Sequence, residues 1–196
     1  MPEPLDFSIR FFIFAITHSA LASRRVKAKL LEQLGKSGKW YRLWYNLLSL
    51  IMFAWVMTSW PSPKVIYLAP GIWSLVMYAT QLLLLVLMWI CLAQTGIAEF
   101  IGTDMKQTET KGGFITSGCY SLVRHPLYLI AVLFLLLNPV MTTRWALLTI
   151  LSIIYMVLGA IIEERRLLAT YGDHYRKYCL KVPFMLPKIR LKPTAP

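Results

Sequence analysis

Long apolar stretches, separated by short polar segments, dominate the pattern of this chain. A helix needs about 20 apolar residues to cross the hydrocarbon core of a bilayer. Two of the stretches have 15 residues each, and the other three approach or exceed the required length. The pattern predicts an all-α integral membrane bundle of five transmembrane helices. The five stretches are Phe7–Leu21, Leu43–Trp60, Gly71–Ile97, Pro126–Val140 and Trp145–Ile162.

The start of the chain is acidic, with Glu3 and Asp6 before the first apolar stretch. A secretory signal peptide begins with basic residues instead. The segment Ser19–Ala22 does resemble a cleavage site, but the acidic start favours a true span or a re-entrant helix.

Basic residues are concentrated in two segments. The segment Ala22–Arg42 holds seven Lys and Arg against one acid, and the tail from Glu163 holds eight against three. Basic loops stay on the cytoplasmic side of a membrane. We therefore predict a multi-pass protein with its N-terminus outside, its C-terminus inside and its active site on the cytoplasmic side. The membrane would be the cell membrane in a prokaryote and the endoplasmic reticulum in a eukaryote.

Composition supports the membrane class and excludes others. The chain is 57% hydrophobic and 15% charged, with a net charge of +12 over 196 residues. Disordered chains have low hydrophobicity, so disorder is excluded. Nucleic-acid-binding domains are not this apolar, so nucleic acid is not an expected partner. Membrane lipids are expected partners instead. Residues 1–196 are predicted to form a single membrane domain.

Three cysteines, Cys91, Cys119 and Cys179, are too few and too scattered for a disulfide framework or a zinc site. Free cysteine commonly behaves as a small buried apolar residue. We expect that role for all three, and we expect no metal site.

The last two apolar stretches are predicted to form a helical hairpin, in which Thr142 and Thr143 cap the second helix. The hairpin turns near Met141 and would bring the paired acids Glu163 and Glu164 beside His125. Beyond it, Glu163–Lys181 is predicted to be an amphipathic helix. It would either lie on the membrane surface or cover the end of the bundle.

Unusual residues are densest just before the fourth stretch. Glycines at positions 112, 113 and 118 permit tight turns and close approach to a ligand. Pro126 suits the first position of a helix and leaves His125 near its N-cap, where backbone N–H groups attract an anion. Tyr120 and Tyr128 offer aromatic faces to a sulfonium cation or an adenine ring.

These segments resemble the isoprenylcysteine carboxyl methyltransferase family. The family consists of integral membrane enzymes that use S-adenosylmethionine, and in eukaryotic members the substrate is a C-terminal prenylated cysteine. The similarity covers roughly residues 100–187, and no motif of the N-terminal half contributes. The matching segments are Thr116–Tyr120, Arg124–Tyr128, Glu163–Leu167, Tyr171–Tyr175, Tyr178 and Val182–Pro183.

The resemblance implies that residues 98–196 form the cofactor-binding catalytic half and that residues 1–97 supply three spans. S-adenosylmethionine would be the cofactor, and S-adenosylhomocysteine its product. Glu163 would lie near the methyl acceptor, and Arg124 is a candidate to orient an acceptor carboxylate. The implied cofactor-binding residues are Gly112, Gly113, Phe114, Ile115, Tyr120, His125, Pro126, Leu127 and Tyr128.

The leading expectation is methyl transfer to a lipophilic small molecule or prenylated substrate, most simply at the carboxylate of a prenylated cysteine. Three alternatives stay open. Phospholipid N-methyltransferases have a similar tail motif, and an amine acceptor would need a base such as Glu163 or Glu164. Sterol-reductase-like NADPH enzymes also carry an Arg-His-Pro-x-Tyr motif. In a non-catalytic membrane scaffold, the His and Glu residues would only be structural.

Overall fold

The computed structural model describes residues 2–95 and 114–187, and most of these are helical. Gly112 and Gly113 therefore lie outside the described residues. The helices and strands are α1 (Glu3–Ala22), α2 (Arg24–Leu34), a 3-10 helix (Gly35–Trp40), α3 (Tyr41–Met57), β1 (Val65–Leu68), α4 (Ile72–Thr95), α5 (Cys119–Leu122), α6 (Pro126–Leu136), β2 (Val140–Thr142) and α7 (Thr143–Lys181).

Each of the five predicted apolar stretches contains a helix. Three of these, α1, α4 and α7, are long and apolar enough to cross a membrane. The other two are shorter, with 17 residues in α3 and 11 in α6. A mainly helical membrane protein is therefore confirmed, while the five-span topology and its orientation stay predictions. Large apolar side chains on α4, including Leu75, Leu82 and Trp89, are exposed, as expected for a helix facing lipid.

A short β-ribbon interrupts the expected all-α fold. β1 pairs with β2 in antiparallel register, with Leu68 opposite Val140 and Val65 opposite Thr142. The ribbon ends α6 at Leu136, four residues before the end of the apolar stretch. The sequence did not predict β1, because its pairing partner lies more than 70 residues away and a local pattern contains no information about such a partner.

The expected amphipathic helix is not a separate element. It continues from the fifth apolar stretch as the second half of α7, a helix of 39 residues. The break that does occur lies at Gly172, whose φ of 53° and ψ of −127° suit a residue without a side chain. At the other end, the predicted cap is confirmed, since the Thr142 side chain accepts a hydrogen bond from the Trp145 N–H at 3.2 Å.

The basic segment after α1 is also more ordered than a loop. It folds into α2 and the 3-10 helix, and the Ser23 side chain caps α2 by accepting from the Val26 N–H at 3.4 Å. Ser23 is a favoured N-cap type that local sequence reasoning could have used.

Three hydrophobic clusters hold the helices together. The first joins α1, α3 and α7 through Phe7, Val56 and Leu148, all almost fully buried. The second joins α4 to α6 through Leu84 and Ile130. The third lies in the second half of α7 and beyond, around Tyr175, Tyr178 and Val182. This third cluster forms the base of the candidate site.

Two of the cysteines form a disulfide, which corrects the expectation that all three are isolated apolar residues. Cys91 of α4 is bonded to Cys119 of α5, with their Cα atoms 5.7 Å apart, and only Cys179 is free. Beside the disulfide, the Gln94 side chain accepts a hydrogen bond from the Cys119 N–H at 3.1 Å. The preceding Gly118 has a φ of +60°, and a Cβ there would collide with Gln94. The disulfide and this hydrogen bond thereby hold Gly118 and Cys119 against α4.

Candidate functional site

The Arg-His-Pro segment is held in place by the chain that follows α7. Pro126 occupies the first turn of α6, and His125 is its N-cap, as the sequence predicts. The N–H of Arg124 donates to the Pro183 carbonyl at 2.9 Å, and the N–H of His125 donates to the Phe184 carbonyl at 3.2 Å. The two motif segments, almost 60 residues apart in sequence, thus meet through their backbones.

Glu164 joins Arg124 to His125. Its Oε1 lies 2.7 Å from Arg124 Nε and 3.2 Å from His125 Nε2. Arg124 also donates from Nη1 to the Cys179 carbonyl at 3.2 Å and from Nη2 to Glu164 Oε2 at 3.3 Å. The Arg124 and Glu164 side chains are only 13% and 22% exposed, so this ion pair fixes α6 against α7.

Glu163 lies on the opposite side of the same histidine and is much more open. Its Oε2 is 3.9 Å from His125 Nδ1 and accepts a hydrogen bond from the Tyr128 hydroxyl at 3.4 Å. The side chain of Glu163 is 48% exposed, whereas that of His125 is 5% exposed. The predicted meeting of both glutamates with His125 is confirmed, but only Glu163 is free to face a ligand.

His125 is packed between two aromatic rings. Tyr128 stacks on it with an interplanar angle of 11° and centroids 5.6 Å apart. Phe184 approaches edge-on at 5.0 Å. These contacts allow the imidazole little freedom, so its two nitrogens stay aimed at the two glutamates.

A cavity of about 270 Å³ opens beside this group. Among the residues implied by sequence, Phe114, Ile115, Tyr120, Arg124, His125 and Glu163 line it. Sequence reasoning did not assign its remaining described lining residues to a site: Thr95, Leu167, Tyr171, Tyr175 and Tyr178. Leu167, Tyr171, Tyr175 and Tyr178 are spaced at three to four residues along Glu163–Lys181, the segment predicted to lie on the membrane surface or to cover the end of the bundle.

Aromatic rings form one side of this cavity. Phe114 packs against the rings of Tyr171, Tyr175 and Tyr178 at centroid distances of 4.9 to 5.2 Å. The Tyr178 hydroxyl donates to the Tyr120 carbonyl at 2.6 Å. Burial, with a smaller effect of Glu163, raises the pKa of Tyr120 to about 12. Its phenol is therefore protonated near neutral pH and can donate a hydrogen bond.

Four implied site residues do not have the expected surroundings. Leu127 packs into the α4–α6 cluster, and Pro126 is buried beside it, so neither lines the cavity. Tyr128 faces a separate groove. The guanidinium of Arg124 is already engaged by Glu164 and the Cys179 carbonyl, so its role toward an acceptor carboxylate stays a prediction.

The separate groove is apolar and measures about 550 Å³. We call it the α1–α7 groove. Its described lining residues are Phe11, Phe12, Ala15, Ile16, His18 and Ser19 of α1, Tyr128 of α6, and Leu151, Ile154, Tyr155, Met156, Leu158, Gly159 and Ile162 of α7. Tyr128 lines this groove and Glu163 lines the cavity, so their hydrogen bond lies between the two spaces.

The residues around the cavity fit an adenosyl sulfonium cofactor. Aromatic faces such as those of Tyr120 and Tyr171, which line the cavity and are partly exposed, attract a sulfonium cation and stack on adenine. The carboxylate of Glu163 also favours a positive charge. Phe114, Tyr120 and Glu163 would hold such a group.

Three bacterial proteins named methanethiol S-methyltransferase are similar to this chain along most of its length. The protein from a Pseudomonas species is 28% identical over 194 residues, which cover 92% of this chain and 72% of that protein. Methanethiol S-methyltransferase 1 of Bradyrhizobium diazoefficiens is 30% identical over 191 residues, covering 89% of this chain and 64% of that protein. Methanethiol S-methyltransferase 2 of the same organism is 30% identical over 192 residues, which cover 90% of this chain and 70% of that protein.

These matches extend across both halves of the chain, whereas the sequence motifs lie only in the second half. The N-terminal helices therefore belong to the region in which this chain is similar to the three methyltransferases. No family model and no solved structure matches this chain.

Proposed function

This chain belongs to the isoprenylcysteine carboxyl methyltransferase family of membrane methyltransferases, and we propose that it transfers a methyl group from S-adenosylmethionine to a thiol with an apolar body. The thiol class is supported by the three relatives, whose names specify methanethiol as their acceptor. An apolar body is supported by the α1–α7 groove, whose volume of about 550 Å³ far exceeds that of a methyl group and matches ordinary ligand sites.

The observation that carries the proposal is the hydrogen bond between Tyr128 and Glu163. It marks the contact between an aromatic cavity suited to the cofactor and an apolar groove suited to the acceptor. A methyl transfer requires its two reactants to meet at one point, and positioning supplies much of the rate enhancement in such reactions.

When bound, S-adenosylmethionine would supply an electrophilic methyl group on a sulfonium sulfur. Glu163 would accept the proton of the acceptor thiol, because it is the carboxylate that faces the cavity and is half exposed. The Tyr128 hydroxyl would orient this carboxylate by its hydrogen bond. Glu164 would keep His125 and Arg124 in position rather than react.

A carboxylate acceptor, such as that of a prenylated cysteine, is the second candidate. The size and apolar lining of the α1–α7 groove favour it equally. It would benefit from a cation at the point of transfer, yet Arg124, the one arginine or lysine among the described residues lining the cavity, already pairs with Glu164. A thiol needs a base instead, and Glu163 supplies one.

The test is a radiolabelled methyl-transfer assay on the full chain in lipid nanodiscs. Acceptors would be decanethiol, a prenylcysteine, an isoprenoid acid and phosphatidylethanolamine. We expect label in the thiol product and calorimetric binding of S-adenosylhomocysteine. Label only in phosphatidylethanolamine would favour N-methylation, and tight NADPH binding without adenosyl-cofactor binding would favour a reductase. Either result would overturn the proposal.

Substitutions at Gly159 test the use of the groove. A Cβ there would lie 3.9 Å from the Tyr128 hydroxyl, an ordinary contact, so Gly159→Ala is a matched control expected to keep activity. Gly159→Leu would fill the groove, so we expect it to lose decanethiol methylation while it still methylates a short thiol. Equal activity of both variants toward decanethiol would place the acceptor elsewhere.

A further inference from the structure

Two hydroxyl groups line the α1–α7 groove and bond to each other. Ser19 Oγ of α1 and the Tyr155 hydroxyl of α7 lie 3.0 Å apart. The rest of the groove lining is mostly apolar, apart from His18 and Tyr128. Hydroxyl groups in such surroundings are costly unless they are hydrogen-bonded.

This pair has one proton more than its own bond uses. Each hydroxyl carries one proton, and the bond between them consumes one of the two. Neither group has another hydrogen-bond partner within residues 2–95 and 114–187. The remaining O–H is therefore available to a hydrogen-bond acceptor in the groove.

The Tyr155 ring is held so that this hydroxyl keeps its position. Phe11 meets it edge-on, with centroids 6.5 Å apart and an interplanar angle of 89°. His18 approaches from α1 at 6.4 Å and 70°. His18 is itself fixed by bonds to Ser49 and Tyr45 of α3 at 2.9 and 2.8 Å.

Tyr155, whose hydroxyl belongs to this pair, precedes Glu163 by two helical repeats of α7. Tyr155, Gly159 and Glu163 follow one another at four-residue intervals on α7 and therefore share a face. Two such intervals correspond to about 12 Å along the helix axis. Gly159, between them, leaves the face open.

We propose that Ser19 and Tyr155 bind a second polar group of the methyl acceptor, one that accepts a hydrogen bond and lies along its chain from the methyl-accepting atom. The acceptor class would be a thiol whose hydrocarbon chain ends in an ester, ketone or ether oxygen. This inference rests on the proposed function, because the groove must hold the acceptor.

The test compares decanethiol with a thiol of equal chain length that ends in a methyl ester. Binding to the full chain in nanodiscs, saturated with S-adenosylhomocysteine, is measured by calorimetry so that no turnover is needed. One added neutral hydrogen bond should tighten binding about three- to tenfold. We expect this preference for the ester in the unaltered protein.

Tyr155→Phe and Ser19→Ala should each reduce that preference to near unity, with the decanethiol affinity of each variant measured as its own reference. Tyr78→Phe, on an exposed position of α4, is the matched control and should keep it. No preference in the unaltered protein, or a preference that survives in both variants, would overturn the inference. If the ester binds as expected but no probe is methylated, the proposed function fails and the recognition site stands.

Discussion

Two histidines anchor polar networks in the two halves of this molecule, and the networks differ in charge and openness. In the N-terminal half, the Ser49 hydroxyl donates to the Tyr45 carbonyl at 2.7 Å, so it accepts from His18 Nδ1. The Tyr45 hydroxyl then donates to His18 Nε2 at 2.8 Å. Neutral groups therefore satisfy both nitrogens of this imidazole.

The His125 network is built from charged groups and is left open on one side. Glu164 is committed to Arg124 and His125, but Glu163 accepts only a long bond from Tyr128 and is half exposed. A closed neutral network stabilises the bundle, whereas an open charged one retains a group that can act on a ligand. The comparison therefore distinguishes a histidine in a closed neutral network from one beside an open carboxylate.

The largest expected effect follows from neutralising the open carboxylate. Glu163→Gln keeps the size of the side chain but removes the proton acceptor, so the methyl-transfer rate should fall about 10²- to 10⁴-fold. The thermal midpoint in detergent should not change, because the side chain is half exposed and its bond to Tyr128 is long. A variant with full activity would remove Glu163 from the reaction.

Removing Glu164, the carboxylate engaged by Arg124 and His125, should reduce the stability of the protein. Glu164→Ala leaves Arg124 buried without its counter-ion, which costs about 3 kcal/mol, measured as a lower denaturant midpoint. Asp173→Asn breaks the exposed ion pair to Arg176, whose side chains are 85% and 68% exposed, and serves as the control with no measurable change. Equal stability of the two variants would show that Glu164 is not structural.

The disulfide tests how far the site depends on α4. Replacing Cys91 and Cys119 together with alanine opens a link across 28 residues and should cost about 2–4 kcal/mol. Because Cys119 directly precedes Tyr120, we also expect weaker binding of S-adenosylhomocysteine by calorimetry. Cys179→Ala, at the free thiol, is the control. Unchanged cofactor affinity in the double variant would separate the disulfide from the site.

The smallest effect should come from the closed neutral network. Tyr45→Phe removes one donor to His18 and should lower stability by about 1 kcal/mol. Cofactor affinity and the rate with a short thiol should match the unaltered protein. A large loss of activity would contradict a purely structural role of His18, which also lines the α1–α7 groove.

Much of the site could be predicted because its chemistry lies in short segments. Pro126 as the first residue of a helix, His125 as its cap and the return of Glu163 beside it all follow from helix geometry and one hairpin. Helix geometry alone could not distinguish Glu163 from Glu164, which are adjacent on α7, and only the family resemblance placed Glu163 near the methyl acceptor. Their separate roles depend on where Arg124 and Tyr128 lie in space.

Features made by long-range pairing were missed. The disulfide joins Cys91 to Cys119, and β1 pairs with β2. In both pairs, the sequence around one partner contains no information about the other. The spacing of the tyrosines predicts an amphipathic helix, either on the membrane surface or over the end of the bundle, but no cavity wall. Only Phe114, which packs against Tyr171, Tyr175 and Tyr178, turns that face into a cavity wall.

The sequence by itself determined the membrane class, the positions of the five apolar helices and the segments that carry the chemistry. These are properties of composition, periodicity and local motifs, which act over a few helical turns. The tertiary structure decided which carboxylate stays open and which side chains line the α1–α7 groove. Such outcomes depend on the relative placement of helices, because burial and hydrogen-bond partners are set by neighbours in space rather than in sequence.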